Sequence, residues 1–386
     1  MSTVTQLMCI AAMTALLFAH QHQAIQAQVK NVNCNVLPIQ SLDLPHTSGD
    51  LVYSVGDTAT SLLGRFNQQP RLVFDDLVSP NGLYIADYYA LDTSSEGSTI
   101  AVYDSSGEQI YNGAPSLARV RNTHWLGNDR LLSLVATVTS RRNTFNGIRY
   151  TYEFGYFTIN PFTREYTFTV PPRPSPFDPE LPFYRAGDPF VLTGYSLTFD
   201  GRYLFNDMPL YDFIEEELLV RPNFERGYPS STSHRLIRVD SRSMDSAEQI
   251  DVHVYDFDTD ESIRLITFYP DTRISFEAWS PDEAQLVYSL NYPDEDITSF
   301  RNIELVSLQT GDVQSTCLGN YNVNTHSSAV FWSRDSQFLA VQAGLEGQDS
   351  NESFGLYLYD TQTGDIYQVY QGRADIIGWM ASPDTE

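Results

Sequence analysis

The sequence predicts an all-β chain of repeated four-stranded antiparallel sheets set around a ring, a β-propeller. Three observations carry that expectation. Short apolar stretches alternate with Asp, Asn and Gly turns along most of the chain, and no long helical period interrupts them. One hairpin grammar recurs five times. The first strands and the last strand read as fragments of one unit that complete each other.

The clearest unit runs from Arg273 to Leu318, with strands expected at 274–279, 286–290, 303–308 and 313–318. Such a sheet exposes two apolar faces, so it needs copies stacked beside it. Taking Trp279 as an anchor, the same grammar recurs from Val78, Trp125, Leu197 and Trp332. The third residue after each anchor is Asn81, Asn128, Asp200, Asp282 or Asp335, and the seventh is Ile85, Leu132, Leu204, Leu286 or Leu339. A constant offset between turn residue and strand residue means one hairpin geometry reused.

A second hairpin repeats at 101–111, 156–168, 254–266, 305–315 and 356–370, and a further copy at 51–66 precedes the first anchor. The chain ends on IIGWMASPD, an inner strand lacking the rest of its unit. Six blades are expected, the last closed by both termini, with five or seven as the alternatives.

At WSPDE (279–283), WSRDS (332–336), SPNG (79–82) and LYDTQTGD (358–365) the chain resembles TolB-like and WD-type (WD40-like) propeller repeats. The resemblance covers most of the chain and is strongest over 270–370. It implies the fold and a cell-envelope protein partner, and it says little of activity, because propellers host binding, scaffolding and catalysis alike.

Residues 1–27 read as a secretory signal peptide: the apolar run at 7–19 is too short to span a bilayer, and a small residue stands at Ala27. No Lys or Arg precedes that run, which departs from the usual pattern. Residues 28–386 are then one propeller domain, with insertions at 171–189 and 207–249, in an extracytoplasmic (periplasmic or secreted) protein. Cys34 and Cys317 remain in the mature chain and could pair in an oxidising compartment, or stand as separate thiols. The net charge of −26 disfavours nucleic acid and anionic membranes as partners, and keeps an exported monomer soluble.

If the strands of a blade are named a to d from the axis outward, the long connections are all b–c (87–99, 137–149, 207–249, 291–300, 344–354), with one proline-rich d–a segment at 171–189. Both kinds emerge on one face of the disc, which is where binding sits on a rigid scaffold. Loop drift is the bland alternative. Candidate contacts on that face are Tyr88, Tyr89, Arg141, Arg142, Tyr184 and Tyr292. At the axial mouth of the same face, Arg71, Arg119, Arg273, His326 and Arg373 form a partial basic ring suited to a carboxylate or phosphate. Aligning the last strand on Ser382 instead of Trp379 would put Asp375 at the sixth position, and pairing of these arginines with nearby acids is the bland reading.

Asp256, Asp258 and Asp260 open like a calcium loop, but Glu261 and Thr267 stand where the loop needs glycine and a bidentate acid, so the stretch reads as a turn. Glu215 to Glu217 reads as a short helix. His253 reads as structural, and His124 could be axial. Asn351 and Ser353 form a glycosylation acceptor of use only in a eukaryote. No nucleophile elbow, zinc helix, P-loop or Cys/His cluster occurs, so no cofactor or metal is expected. The leading expectation is a non-catalytic module for a protein, peptide or glycan partner. The alternative is a propeller hydrolase or lyase with an axial metal or basic site.

Overall fold

The computed structural model describes residues 35–56, 58–68, 78–90, 98–113, 118–144, 147–169, 196–197, 202–206, 208–212, 217–218, 227–230, 232–240, 250–268, 273–291, 301–320, 330–345 and 354–381. Among them the only helical elements are two 3-10 turns, Ile39–Ser41 and His46–Ser48. All the rest of the regular structure is strand, and the fold is an all-β propeller.

The chain opens with β1 (Val36–Pro38), β2 (Asp50–Val55), β3 (Thr58–Ser61) and β4 (Asn67–Gln68). A three-stranded sheet follows, β5 (Tyr84–Ala90), β6 (Ser98–Asp104) and β7 (Gln109–Gly113), with Val78 bridging Ile85 on its inner side. Next come three four-stranded sheets. They are β8 (Ala118–Leu126), β9 (Arg130–Thr144), β10 (Gly147–Ile159) and β11 (Tyr166–Thr169); β12 (Ser196–Leu197), β13 (Tyr203–Asn206), β14 (Met208–Asp212) and β15 (Glu217–Leu218); and β16 (Gly227–Pro229), β17 (Arg235–Asp240), β18 (Ile250–Asp256) and β19 (Glu261–Phe268). Two further units are β20 (Arg273–Trp279), β21 (Gln285–Asn291), β22 (Arg301–Ser307) and β23 (Val313–Asn320), then β24 (Val330–Trp332), β25 (Phe338–Leu345), β26 (Gly355–Asp360) and β27 (Ile366–Gln371). These last two touch at one edge through Leu318↔Leu345 and Gly319↔Gly344, and β1 adds in parallel to β27. Finally β28 (Asp375–Met380) pairs antiparallel with β2, so one strand from the end of the chain and three from its start make a single sheet.

The recurring grammar has a physical cause in the turn between the two inner strands. Ser280 Oγ donates to Asp282 Oδ1 at 2.6 Å and accepts Gln285 N at 2.9 Å, while Asp282 Oδ1 also takes Ala284 N at 3.0 Å. Ser333 with Asp335, and Ser79 with Asn81, repeat the arrangement. The next residue adopts a left-handed conformation in all three: Gly82 (φ 71°), Glu283 (φ 56°) and Ser336 (φ 60°). An Asp or Asn at the third position therefore saturates donors that a tight reversal leaves bare. The outer turns use the same device, with Asp104, Asn160, Asp256 and Asp360 each accepting two backbone N–H groups.

Hydrogen bonds also run from turn to turn between neighbouring sheets. Asn81 N donates to Asn128 Oδ1, Ser230 Oγ to Glu283 Oε1, Asp282 N to Ser336 Oγ, and Ser48 Oγ to Asp335 Oδ2. Ala381 N then donates to the Gly82 carbonyl, joining the last strand's sheet to the first. Deeper in the seams, the indole of Trp279 donates to the Tyr228 carbonyl and that of Trp379 to the Phe331 carbonyl, each crossing to the preceding sheet.

The core is divided among the seams. Leu51 and Val52 are successive residues of β2 and both are fully buried, because alternate side chains enter opposite seams. Leu51 joins Phe338, Leu358 and Trp379, whereas Val52 joins Ile85, Ile100 and Trp125. Ile237, Val252, Trp279 and Tyr288 fill the seam between β16–β19 and β20–β23, and Leu305, Leu318, Leu339 and Tyr357 the next.

Two sequence expectations are corrected. The strands fall into seven units among the described residues, counting the edge-joined pair as two, which is the upper of the two alternatives to the six expected. The difference lies in 207–249, which is not an insertion: it holds β14 and β15, completing one sheet, and β16 and β17, opening another. The second correction concerns 137–149, expected as a loop. Its residues extend β9 and β10, which pair, through one register shift at Thr151/Tyr152, out to Thr144↔Gly147. Glu217, expected in a helix, lies in β15, and Asp256 to Asp260 form the β18–β19 turn as expected. Residues 1–34 and 171–189 lie outside the described residues.

Cys317 is disulfide-bonded and buried in the seam that Val36 also packs against. The other two cysteines of the chain, Cys9 and Cys34, lie outside the described residues. Opening this bond is expected to cost about 2–4 kcal/mol, read as a lower denaturation midpoint with reductant than without it.

Asp335 is drawn upward by burial, but hydrogen bonds from Ser48, Ser333, Gln337 N and Thr47 outweigh that and leave its carboxyl below the ordinary aspartate value. Its stabilising effect is therefore full above the ordinary value and lost as pH falls through the folded one. Asp335→Ala should cost about 2 kcal/mol at neutral pH, should couple to Ser48→Ala in a double-mutant cycle, and should cost progressively less in acid.

Candidate functional site

Inner strands run from the face bearing the long connections to the face bearing the serine turns, so their first residues stand at the mouth of the loop face. Ala118 and Arg119 open β8, and Arg273 opens β20. The bulge that skips Glu277 in β20 recurs at Ile377 in β28, two residues before Trp279 and Trp379 respectively. Trp379 is thus the counterpart of Trp279, which makes Arg373, rather than Asp375, the counterpart of Arg273.

Arg373 sits on a clamped connector. Gln342 Nε2 donates to the Gly372 carbonyl at 3.2 Å, and Ala374 N donates to Gln342 Oε1 at 2.8 Å, so the residues on either side of Arg373 are tied to β25. The Arg373 guanidinium lies 3.6 Å from Asp375, and both groups are exposed. This is the bland pairing, worth at most about 1 kcal/mol in solvent. Arg71 and His326 lie outside the described residues, as do the side chains of Arg119 and Arg273.

The proposed loop contacts divide in the same way. The backbones of Tyr88 and Tyr89 fall in β5, paired with Ile100 and Thr99. Those of Arg141 and Arg142 fall on β9, opposite Tyr150 and Arg149. Tyr184 and Tyr292 lie outside the described residues. Arg149 is absent from the expected contacts because a loop at 137–149 has no cross-strand partners; the alternation across 147–152 is the signal of a strand there.

Two polar groups were also missed. On β22, burial pushes the Glu304 carboxyl above its ordinary value, only partly offset by the Tyr288 hydroxyl donating to it at 2.6 Å. Asn302 Oδ1, two residues nearer the loop face, is buried with no partner among the described residues. On the serine-turn face, His234 Nδ1 lies 2.9 Å from both Asp258 oxygens, with Arg202 Nη1 at 3.8 Å from Asp258 Oδ1. A carboxylate at Nδ1 fixes an imidazole's orientation, but this pair stands away from the loop face. His253, in β18, has Ser262 Oγ at 3.4 Å from Nδ1. Among the described residues no group of three or more His, Cys, Asp and Glu could hold a metal ion.

Comparison with known proteins adds fold and little else. No family model matches the chain, and no curated protein matches it. An uncharacterized protein of Listeria monocytogenes is similar in structure, with TM-score 0.50 and 10% identity over 84% of this chain and 91% of its own. Oligogalacturonate lyase of Vibrio parahaemolyticus is similar at TM-score 0.33 and 12% identity, over 75% of this chain and 86% of its own. Acylaminoacyl peptidase of Pyrococcus horikoshii is similar at TM-score 0.39 and 13% identity, over 65% of this chain and 39% of its own.

Because the folded Glu304 holds its proton more tightly than the unfolded chain does, stability should fall as pH rises from the ordinary glutamate value through the folded one. Glu304→Gln should therefore raise the melting temperature at pH 8 and leave it nearly unchanged at pH 4, as measured by thermal unfolding across that range.

Proposed function

We propose that this chain is an exported, monomeric, non-catalytic binding module of the TolB-like and WD-type kind, which engages a protein, peptide or glycan partner through its loop face. The observation that carries this reading is the contrast between the two faces. On one face the turns are short and satisfy their own polar groups, turn to turn, through Ser, Asp and Asn. At the opposite ends of the strands the joins are longer in sequence, 91–97, 292–300 and 346–353, and β9 and β10 extend to Thr144↔Gly147. A rigid disc with one self-satisfied face puts its variable chemistry on the other.

Export is supported by the reading of residues 1–27 as a leader and by the disulfide at Cys317, a bond that persists in oxidising compartments. The charge of −26 supports a partner other than nucleic acid or an anionic membrane body. A second reading, a hydrolase or lyase with an axial site, is favoured by the position of Arg119 and Arg273 at the loop-face ends of β8 and β20, with Arg373 two residues before β28.

A peptide and glycan array separates these readings when run beside a thermal-shift panel of calcium, zinc, phosphate and small carboxylates. The module reading expects array binding that disappears when 91–97 and 292–300 are shortened, with no metal-dependent stabilisation. Stabilisation by zinc or calcium together with turnover of an array compound would replace it with the enzyme; undiminished binding after shortening would remove the loop face from consideration.

A further inference from the structure

The turn between β24 and β25 departs from its counterparts at one residue. Arg334 follows Ser333, where Pro80 and Pro281 follow Ser79 and Ser280. The turn itself does not call for an arginine, since the same serine hydrogen bond closes over proline in the other two copies. Instead the side chain leaves its own turn. It runs past Gly49, where a Cβ would stand 3.7 Å from Arg334 Cδ, and reaches Gly82, where a Cβ would overlap Arg334 Nη1. Gly49 immediately precedes β2, and Ala381, just after β28, donates its N–H to the Gly82 carbonyl. The guanidinium therefore lies where three sheets meet: its own, the closing sheet of β2 and β28, and the β5–β7 sheet.

Space is kept for it. Gly82 has φ 71°, but its counterparts Glu283 and Ser336 hold φ 56° and 60° while carrying side chains. The backbone alone does not demand glycine at 82; the guanidinium does, because a Cβ would take its place. Into that space the chain sets a cation without a counter-charge. Arg334 is half-buried and forms no hydrogen bond and no ion pair among the described residues. Burial alone draws its guanidinium below the ordinary value, with no carboxylate holding it up. Asp335, next in the chain, is engaged elsewhere, with Thr47, Ser48, Ser333 and Gln337 N. A cation drawn out of water without a partner is costly, and a chain with 49 acidic residues has ample means to supply one.

We propose that Arg334 is an oxyanion site on the serine-turn face, taking the carboxylate, phosphate or sulfate of a small ligand where the three sheets meet. The turns around it are already bonded to one another. What is left over is the donor fork of one guanidinium, which matches two oxygens of one anion. The site lies on the face opposite the long connections and is independent of the binding-module reading. Its occupant would sit among residues that only the closed ring brings together, so binding and closure are linked.

The test is thermal unfolding of the full chain in chloride buffer titrated with phosphate, sulfate or citrate, beside calorimetric titration with the same anions. Ionic strength is held constant, which cancels the screening that any salt brings to a chain of net charge −26. A melting temperature that rises with the logarithm of one anion's concentration is expected. Citrate in that role names a carboxylate, phosphate or sulfate a tetrahedral anion. R334Q should weaken the binding by at least ~10-fold. R334P, which installs the residue of the two other turns, should do the same and guards against a variant that fails to fold. Without anion neither should melt below the parent, since each removes a half-buried unpaired charge. No response beyond chloride overturns the proposal. So does a response that both variants keep, which would be exclusion of the anion from the whole surface. Variants that melt lower in chloride, with no anion response in the parent, would make Arg334 a packing peg between sheets. A response that the parent gains only when 382–386 are removed would assign the guanidinium to the acids of that segment, Asp384 and Glu386, and overturn an outside ligand.

Discussion

Everything else in the molecule depends on the pairing of β2 with β28. Sheets set around a circle leave one gap, and only strands from the two ends of the chain can fill it without exposing an unpaired edge. The register Asp50↔Met380 to Ser54↔Asp375 fills it. The sheet so made is a wedge, with Leu51 on one side against Phe338 and Leu358 and Val52 on the other against Ile85 and Ile100. Withdrawing the wedge would uncover two clusters at once, where each fully buried aliphatic side chain is worth about 1.5–3 kcal/mol. The hydrogen bonds from Ser48 to Asp335 and from Ala381 to Gly82 pin it on either side.

The sequence made this architecture legible because the turn chemistry is local. Ser79, Ser280 and Ser333 each act with the Asp or Asn two residues on, and the spacing to the next buried aliphatic residue follows from hydrogen bonding inside one hairpin. It failed where the chemistry is carried by other residues. In the β16–β17 hairpin Pro229 stands at the anchor and Thr232 where Asp is expected, although Ser230 and the buried Leu236 keep the spacing. A pattern keyed to Trp and Asp passes over it, so the stretch that holds half the strands of two sheets reads as an insertion. Keyed to the serine and its partner five residues later, the same pattern finds Ser230 and Arg235.

The candidate site was less legible, for a different reason. Alignment along the inner strands placed Arg119, Arg273 and Arg373 at equivalent heights, because strand position is a one-dimensional property. Pairing across strands is not. Arg142 and Arg149 are seven positions apart in the chain, and their backbones are paired only through the register of β9 on β10. Burial is equally non-local: Glu304 looks like any strand glutamate until Tyr288 and the neighbouring sheet remove its water.

The parallel addition of β1 to β27 and the late arrival of β28 have a consequence for how the molecule comes into being. Strands β2 and β3 leave the ribosome, and on the exported reading cross the membrane, long before the strand that completes their sheet exists. Until then they are sticky, half-satisfied and separated from their partner by almost the whole chain, the kind of contact that slows folding most. A cell making this protein must keep its leading segment from other sheets until the trailing one arrives, so yield should be governed by chaperoning during that wait more than by the stability of the finished ring.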